Sequence, residues 1–195
     1  EHYTNYPESY EGLYVALDPG HFGGNIEEAQ LEARVVKMKG EDIGKQNDIM
    51  FFEADLAYAT AWQLKEYLES KGAVVLLTRP YGAGAKGMNF ATWLKSKDGF
   101  QSDVLSSLNN GDITSAYSKE LQSYYQDTVK FINRNKLFDF YKFLDFRERI
   151  HKINEFHPDI TISIHYNASE NNKFFGDRYL RPVTENYNFV FIPGA

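Results

Sequence analysis

The chain contains no cysteine, which excludes a disulfide framework and any thiolate metal site; a zinc ion held here has to rest on His, Glu or Asp. Basic residues are outnumbered, 21 Lys and Arg against 27 Asp and Glu, for a net charge of -6. With no dense basic run either, nucleic acid is excluded as a partner held by a broad basic surface. No apolar run approaches the roughly 20 residues that cross a bilayer, so no transmembrane segment is expected. The opening residues, EHYTNYPESYEG, lack the apolar stretch of a signal peptide. Because the chain starts at Glu1 and not at methionine, we expect a trimmed form whose targeting sequence has been removed. Internal repeats and low-complexity tracts are absent as well. What remains, 195 residues that are 43% hydrophobic and 16% aromatic, is enough for one domain with a sizeable core.

The most informative stretch is Leu13 to Gly24, LYVALDPGHFGG. The run Leu13 to Leu17 reads as a strand buried on both faces, and Pro19-Gly20 forces a tight turn after it. That turn presents His21 at the carboxyl end of the strand, where open α/β sheets bind ligands. A lone histidine there is more often satisfied by loop hydrogen bonds. A second strand, Ile160 to Ile164, however, also ends in a histidine, His165. Two strands delivering two histidines to one rim form a metal-site pattern that asks for a third ligand.

Between them, residues 23 to 48 read as a charged rim loop with one short helical turn. Residues 50 to 70 are helical, with Ala57, Ala61, Leu64 and Leu68 on one stripe, Asn47 or Asp48 as cap and Gly72 as stop. Glu53 falls on that core-facing stripe in the first turn. A carboxylate there is costly unless it is paired, faces the helix dipole or binds a metal. Residues 73 to 78, AVVLLT, read as another buried strand, and the helix before it has the length of a parallel crossover. Residues 81 to 144 look like a helical insertion. Its aromatics, among them Tyr117, Tyr124, Phe131, Phe138 and Tyr141, suit packing better than a sugar-binding shelf. A core helix is expected from Asp145 to His157, with Phe146, Ile150, Ile153 and Phe156 inward and Arg147 and Arg149 on the polar side; His157-Pro158 ends it. A last strand is expected from Tyr187 to Ile192.

His21, Glu53 and His165 thus make a two-histidine, one-carboxylate set of the kind that holds catalytic zinc and leaves a coordination position open. The local wording is more specific still: LDPGHFGG, then FFEADLAYATAWQLKEYLESKGAVVLLTR, then RERIHKINEFHPDITISIHYNAS. This resembles the zinc-dependent N-acetylmuramoyl-L-alanine amidases, with their DPGHGG opening, ligand Glu at a helix start, G-x-x-V-x-L-T-R strand and S-I-H-x-N-A strand end. The resemblance implies an α/β fold with a mixed, largely parallel twisted sheet flanked by helices. It also implies one Zn2+ on His21, Glu53 and His165, and cleavage of the amide between the lactyl group of N-acetylmuramic acid and L-alanine in peptidoglycan. Asn167 is then a donor near the metal, Asp18 orders the turn or orients a ligand histidine, and Arg147 is a support or substrate residue. The enzyme would work outside the cytoplasm, periplasmic or secreted.

Two departures stand out. The stretch from Arg79 to Arg147 is longer than the family's short connection, which makes it a candidate lid, specificity wall or docking site for a regulatory protein. The family's general-base glutamate, near the domain's C-terminus, has no counterpart here; Glu28, Glu170 and Glu185 are weak substitutes. We therefore expect residues 1 to 195 to be one amidase-like catalytic domain that is incomplete at its C-terminus. The alternatives are a catalytically silent zinc- and peptidoglycan-binding or regulatory domain, or a zinc peptidase or deacetylase acting on another amide.

Overall fold

A computed structural model describes residues 9–22, 25–166, 174–175 and 179–180; the strand expected from Tyr187 to Ile192 lies outside them. The centre is a three-stranded parallel sheet in the order β4-β1-β5, with β1 at Tyr14–Pro19, β4 at Val74–Leu77 and β5 at Ile160–Ile164. Side chains of β1 alternate between two faces. Val15 and Leu17 pack with Ala61, Leu64 and Leu68 of helix α2, Glu53–Ser70. On the other face Tyr14 meets Phe156 and Asp18 meets Arg149, both from helix α6, Phe131–Phe156. The result is a helix–sheet–helix sandwich. Only β1 is buried throughout its middle. Val74 and Ile160 are 44% and 47% exposed because β4 and β5 are the outer strands among the described residues.

The stretch expected as a rim loop is structured. Helix α1, Ile26–Leu31, leads into β2, Val35–Met38, which pairs antiparallel with β3, Ile49–Phe52. Two further two-residue strands, β6 at Phe174–Phe175 and β7 at Tyr179–Leu180, complete a second sheet in the order β3-β2-β7-β6. The expected caps of α2 are also corrected. Its N-cap is Phe52, with no side-chain hydrogen bond, because β3 runs straight into the helix, while the Asp48 carboxylate accepts from the Gly40 N–H instead.

Residues 81 to 144 form helices α3 (Phe90–Lys95), α4 (Phe100–Asn109) and α5 (Ser115–Gln126) and the first half of α6. The expected boundary at 144/145 falls inside that single helix. Phe90, Trp93, Phe100, Leu121, Leu137, Phe138, Phe140 and Tyr141 fill a second core, so most of this aromatic density is packing, while Phe131, Phe143 and Tyr117 lie outside it, 68%, 40% and 37% exposed. The phase of α6 differs from the expectation: Phe146 and Ile150 are 52% and 57% exposed, while Asp145 and Arg149 are buried. The physical reason is the ion pair one turn apart between these two, with Arg149 Nε donating to Asp145 at 2.6 Å. Together with the aromatic stripe from Leu137 to Leu144 it rotates the helix and turns Phe146 and Ile150 to the surface. His157, in the left-handed region at φ 48°, ends the helix before Pro158, as read from the sequence.

This phase is testable by urea unfolding. Phe138→Ala is expected to cost about 3–5 kcal/mol, as a cavity in a packed core does, and Phe146→Ala less than about 1 kcal/mol. A larger loss for Phe146→Ala than for Phe138→Ala would show that the helix is rotated the other way.

Candidate metal centre

Each histidine arrives as the sequence pattern implies, at the carboxyl end of a parallel strand. His21 follows the β1 turn and His165 follows β5, next to β1 in the sheet. Gly20 makes their approach possible. A Cβ at this position would lie 2.4 Å from the His165 ring and 2.8 Å from the Ile164 carbonyl oxygen, and the Gly20 N–H donates to that same oxygen at 2.8 Å. His21 adopts φ 62°, a left-handed backbone that costs a non-glycine residue about 1–2 kcal/mol. The conformation is held from both sides. Arg149 Nη2 donates to the His21 carbonyl at 2.6 Å, and Phe22 is driven into the helical core against Phe138 and Tyr141.

Glu53, the first residue of α2, is buried as its stripe position implies. Its Oε1 lies 2.8 Å from His21 Nε2 and 3.4 Å from His165 Nδ1, and the two histidine nitrogens are 3.3 Å apart. The same oxygen accepts the Tyr166 N–H at 2.9 Å, while Arg34 stands 3.6 Å from Oε2. Glu32 Oε1 lies 3.2 Å from His21 Nδ1, and its Oε2 accepts the Phe22 N–H. A proton on Nδ1, held by Glu32, leaves the Nε2 lone pair facing Glu53 and His165. This carboxylate–histidine arrangement is the one that orients metal-binding imidazoles.

The donor set fits a metal ion. The three ligand atoms lie within 4.8 Å of one another, and their separations of 2.8, 3.3 and 3.4 Å are close to the spacing of about 3.3 Å that tetrahedral zinc imposes on its ligands. Two imidazoles and a carboxylate, without thiolate, also suit other divalent ions.

Other residues singled out in the sequence fall elsewhere. Asp18 contacts neither ligand histidine: it accepts from Thr78 Oγ1 at 2.6 Å and from Arg149 Nη1 at 2.9 Å, tying β4 and α6 to β1. Arg147 pairs with Asp112 in the helical layer, not at the histidines. Arg149, expected on the polar face, is the buried one: it holds the Pro19 and His21 carbonyls. Glu28 is buried, and its Oε1 accepts the N–H of Phe90, the first residue of α3, at 2.5 Å; burial pushes its pKa up. It therefore caps a helix. Asn167, Glu170 and Glu185 lie outside the described residues. The sequence reading missed Glu32, one of several acidic residues in a charged stretch. It also left the structural role of Arg79 unread, although the T-R after β4 belongs to the quoted motif.

Residues 99–181 match the family model described as N-acetylmuramoyl-L-alanine amidase. Over that segment the chain is similar to these amidases. The match takes in α4, α5, α6, β5 and His165, and ends short of His21 and Glu53 on the N-terminal side. No curated protein and no solved structure matches the chain. The amidase match supports an enzyme of cell-wall peptidoglycan in general terms, and the three clustered residues supply a candidate site for the metal on which such amidases typically depend.

Two predictions follow from this geometry. Truncating the carboxylate behind the histidine, Glu32→Ala, is expected to weaken divalent-metal binding about 10–100-fold in competition titrations against a chelating dye, with the fold retained. The second concerns pH. Burial alone lowers the His21 pKa, but its hydrogen bonds to Glu32 and Glu53 outweigh this and raise it from 6.5 to about 9. A raised pKa stabilises the metal-free fold fully below the unfolded value of 6.5, and that contribution is lost as pH rises through about 9. Thermal unfolding of the metal-free chain should thus move to lower temperature between these limits. Metal uptake should release about one proton in calorimetry across buffers of different ionisation enthalpy, so that affinity rises with pH over the same window.

Proposed function

We propose that this chain is a zinc-dependent hydrolase that cleaves the amide between the lactyl group of N-acetylmuramic acid and L-alanine in peptidoglycan. The observation that carries the reading is the convergence of His21 Nε2, Glu53 Oε1 and His165 Nδ1 at a sheet edge, in a chain whose residues 99–181 match the amidase family. These three residues would hold the ion, which when bound would supply Lewis acidity to activate a water and polarise the scissile carbonyl.

The chain's own residues prepare the site. Glu32 keeps the His21 proton on Nδ1 and so leaves Nε2 free as a ligand. The Tyr166 N–H fixes one oxygen of Glu53, and Arg34 balances the other. Arg79 Nη2 donates to the carbonyls of Gly20 and Ala54 at 3.0 and 2.9 Å, so one guanidinium sets the distance between the His21 turn and the start of α2. No proton-transfer step is assigned to Glu28, which is spent on the N-terminus of α3. On this reading the protein would work outside the cytoplasm, in the periplasm or secreted.

The test is digestion of purified peptidoglycan by the 195-residue chain, with and without a chelator, and mass spectrometry of the products. Stem peptides that begin with a free L-alanine amine, lost with chelator and restored by zinc, are the expected result; Glu53→Ala should lower the rate at least about 100-fold. Release of a different amide product would favour a zinc peptidase or deacetylase. Metal bound one to one without any release would leave a binding or regulatory domain.

A further inference from the structure

The aromatics of residues 81 to 144 largely fill a core, but another set gathers at the surface. Tyr58 and Trp62, one turn apart on α2, stack with ring centroids 6.3 Å apart and planes inclined by 21°. Tyr81, just past the carboxyl end of β4, closes on Tyr58 at 5.3 Å. Trp62 is 44% exposed and Tyr81 63% exposed. The Arg79 guanidinium lies against the Tyr58 ring, 5.6 Å from its centroid. At the platform's edge the Tyr81 side chain lies near the Asp55 carboxylate, which it favours in its charged form.

The position of this platform ties it to the metal centre. Tyr81 leaves the sheet at the same carboxyl edge as His21 and His165, from the strand on the opposite side of β1 to β5. Tyr58 and Trp62 stand about 8 and 14 Å along α2 from Glu53, at 1.5 Å per residue. Arg79 joins the two directly, since it supports Tyr58 while donating to the Gly20 and Ala54 carbonyls. Chemically, Trp62 and Tyr81 offer exposed ring surface, on a base of half-buried Tyr58, with a carboxylate and a hydroxyl along one side. A sugar ring has the complementary pattern: axial C–H groups on one face to lie on the aromatics, and equatorial hydroxyls at its rim to reach Asp55 and Tyr81. An apolar side chain would leave those edge groups unused. A nucleic acid is disfavoured by the carboxylate and by the chain's net charge of -6.

We propose that Tyr58, Trp62 and Tyr81 form a stacking platform for a sugar ring of the glycan strand, a subsite beside the metal centre. The assignment rests on the peptidoglycan reading above. It places the polymer along the carboxyl edge of the sheet, with a saccharide on the β4 side while the stem amide reaches His21 and His165.

The test uses the full chain and soluble glycan strands stripped of their peptides, followed by tryptophan emission and calorimetry. Trp62 is the exposed tryptophan and Trp93 the buried one, so an emission change reports on the platform. Saturable binding is expected, weakened at least about tenfold in Trp62→Ala and in Tyr81→Ala, and kept within about threefold in Trp62→Phe, which retains a ring for stacking. Unchanged zinc uptake and Tm in the variants would exclude a general loss of fold. Glycan that does not bind the wild type, or binds a Trp62→Ala/Tyr81→Ala double variant equally well, would overturn the proposal. The probe contains no lactyl–alanine amide, so its outcome is separate from catalysis. A chain that binds glycan through these residues yet releases no stem peptide would sink the amidase reading and uphold the platform.

Discussion

Two buried guanidinium groups hold the turn on which the rest of the site depends. Arg79 and Arg149 between them donate to the carbonyls of Pro19, Gly20, His21 and Ala54. These are the backbone atoms that decide where His21 and Glu53 begin. Burying two cations side by side is unfavourable unless their hydrogens are satisfied and opposite charge is near. Burial, and then the like charge of Arg149, draws the Arg79 pKa down to about 10, while Asp145 and Asp18 oppose the fall. Asp145 and Asp18 likewise hold Arg149 in its charged form against burial. The planar fork of arginine matters here, because one group has to reach several carbonyls in fixed directions, which a lysine cannot do.

The fold surrounds this clamp with two different cores. Small residues, Ala57 and Ala61, let α2 lie close on β1 and bring Glu53 down to the strand ends. Large aromatics on the opposite side anchor Phe22 and so pull the chain sharply away after His21. The left-handed backbone of His21 is the joint between these demands. Its strain is sustained because a hydrogen bond fixes its carbonyl and a packed ring fixes the next residue. In the same network the carboxylates of Glu32 and Glu53 favour a cation between them, and a proton on His21 and a metal ion compete for that role.

Much of this was legible in the residues. The apolar runs before His21 and His165 identified two parallel strands, and the period of residues 57 to 68 identified α2 with Glu53 on its inner stripe. Those three side chains are the ones the structure brings together. The α6 register and the second sheet were not legible. An amphipathic pattern cannot distinguish Phe146 and Ile150 from the Asp145 and Arg149 face when both alternate at helical spacing. Strands β2 and β3, at Val35–Met38 and Ile49–Phe52, are short and hidden in a charged stretch, so their pairing with each other, not their period, makes them strands.

What the sequence determined by itself is therefore local: which segments are strands or helices strong enough to stand on their own period, where Pro-Gly turns them, and which donor atoms sit at their ends. The tertiary structure decided everything that needs two distant segments at once. It chose Glu32 out of several acidic residues to hold His21, turned Arg149 inward to the β1 turn, and sent one aromatic set into a core while leaving Trp62 and Tyr81 in solvent. The reason is physical. Burial and charge pairing are properties of the neighbours a side chain acquires on folding, and a charged or aromatic residue reads the same in the chain whether those neighbours are protein or water.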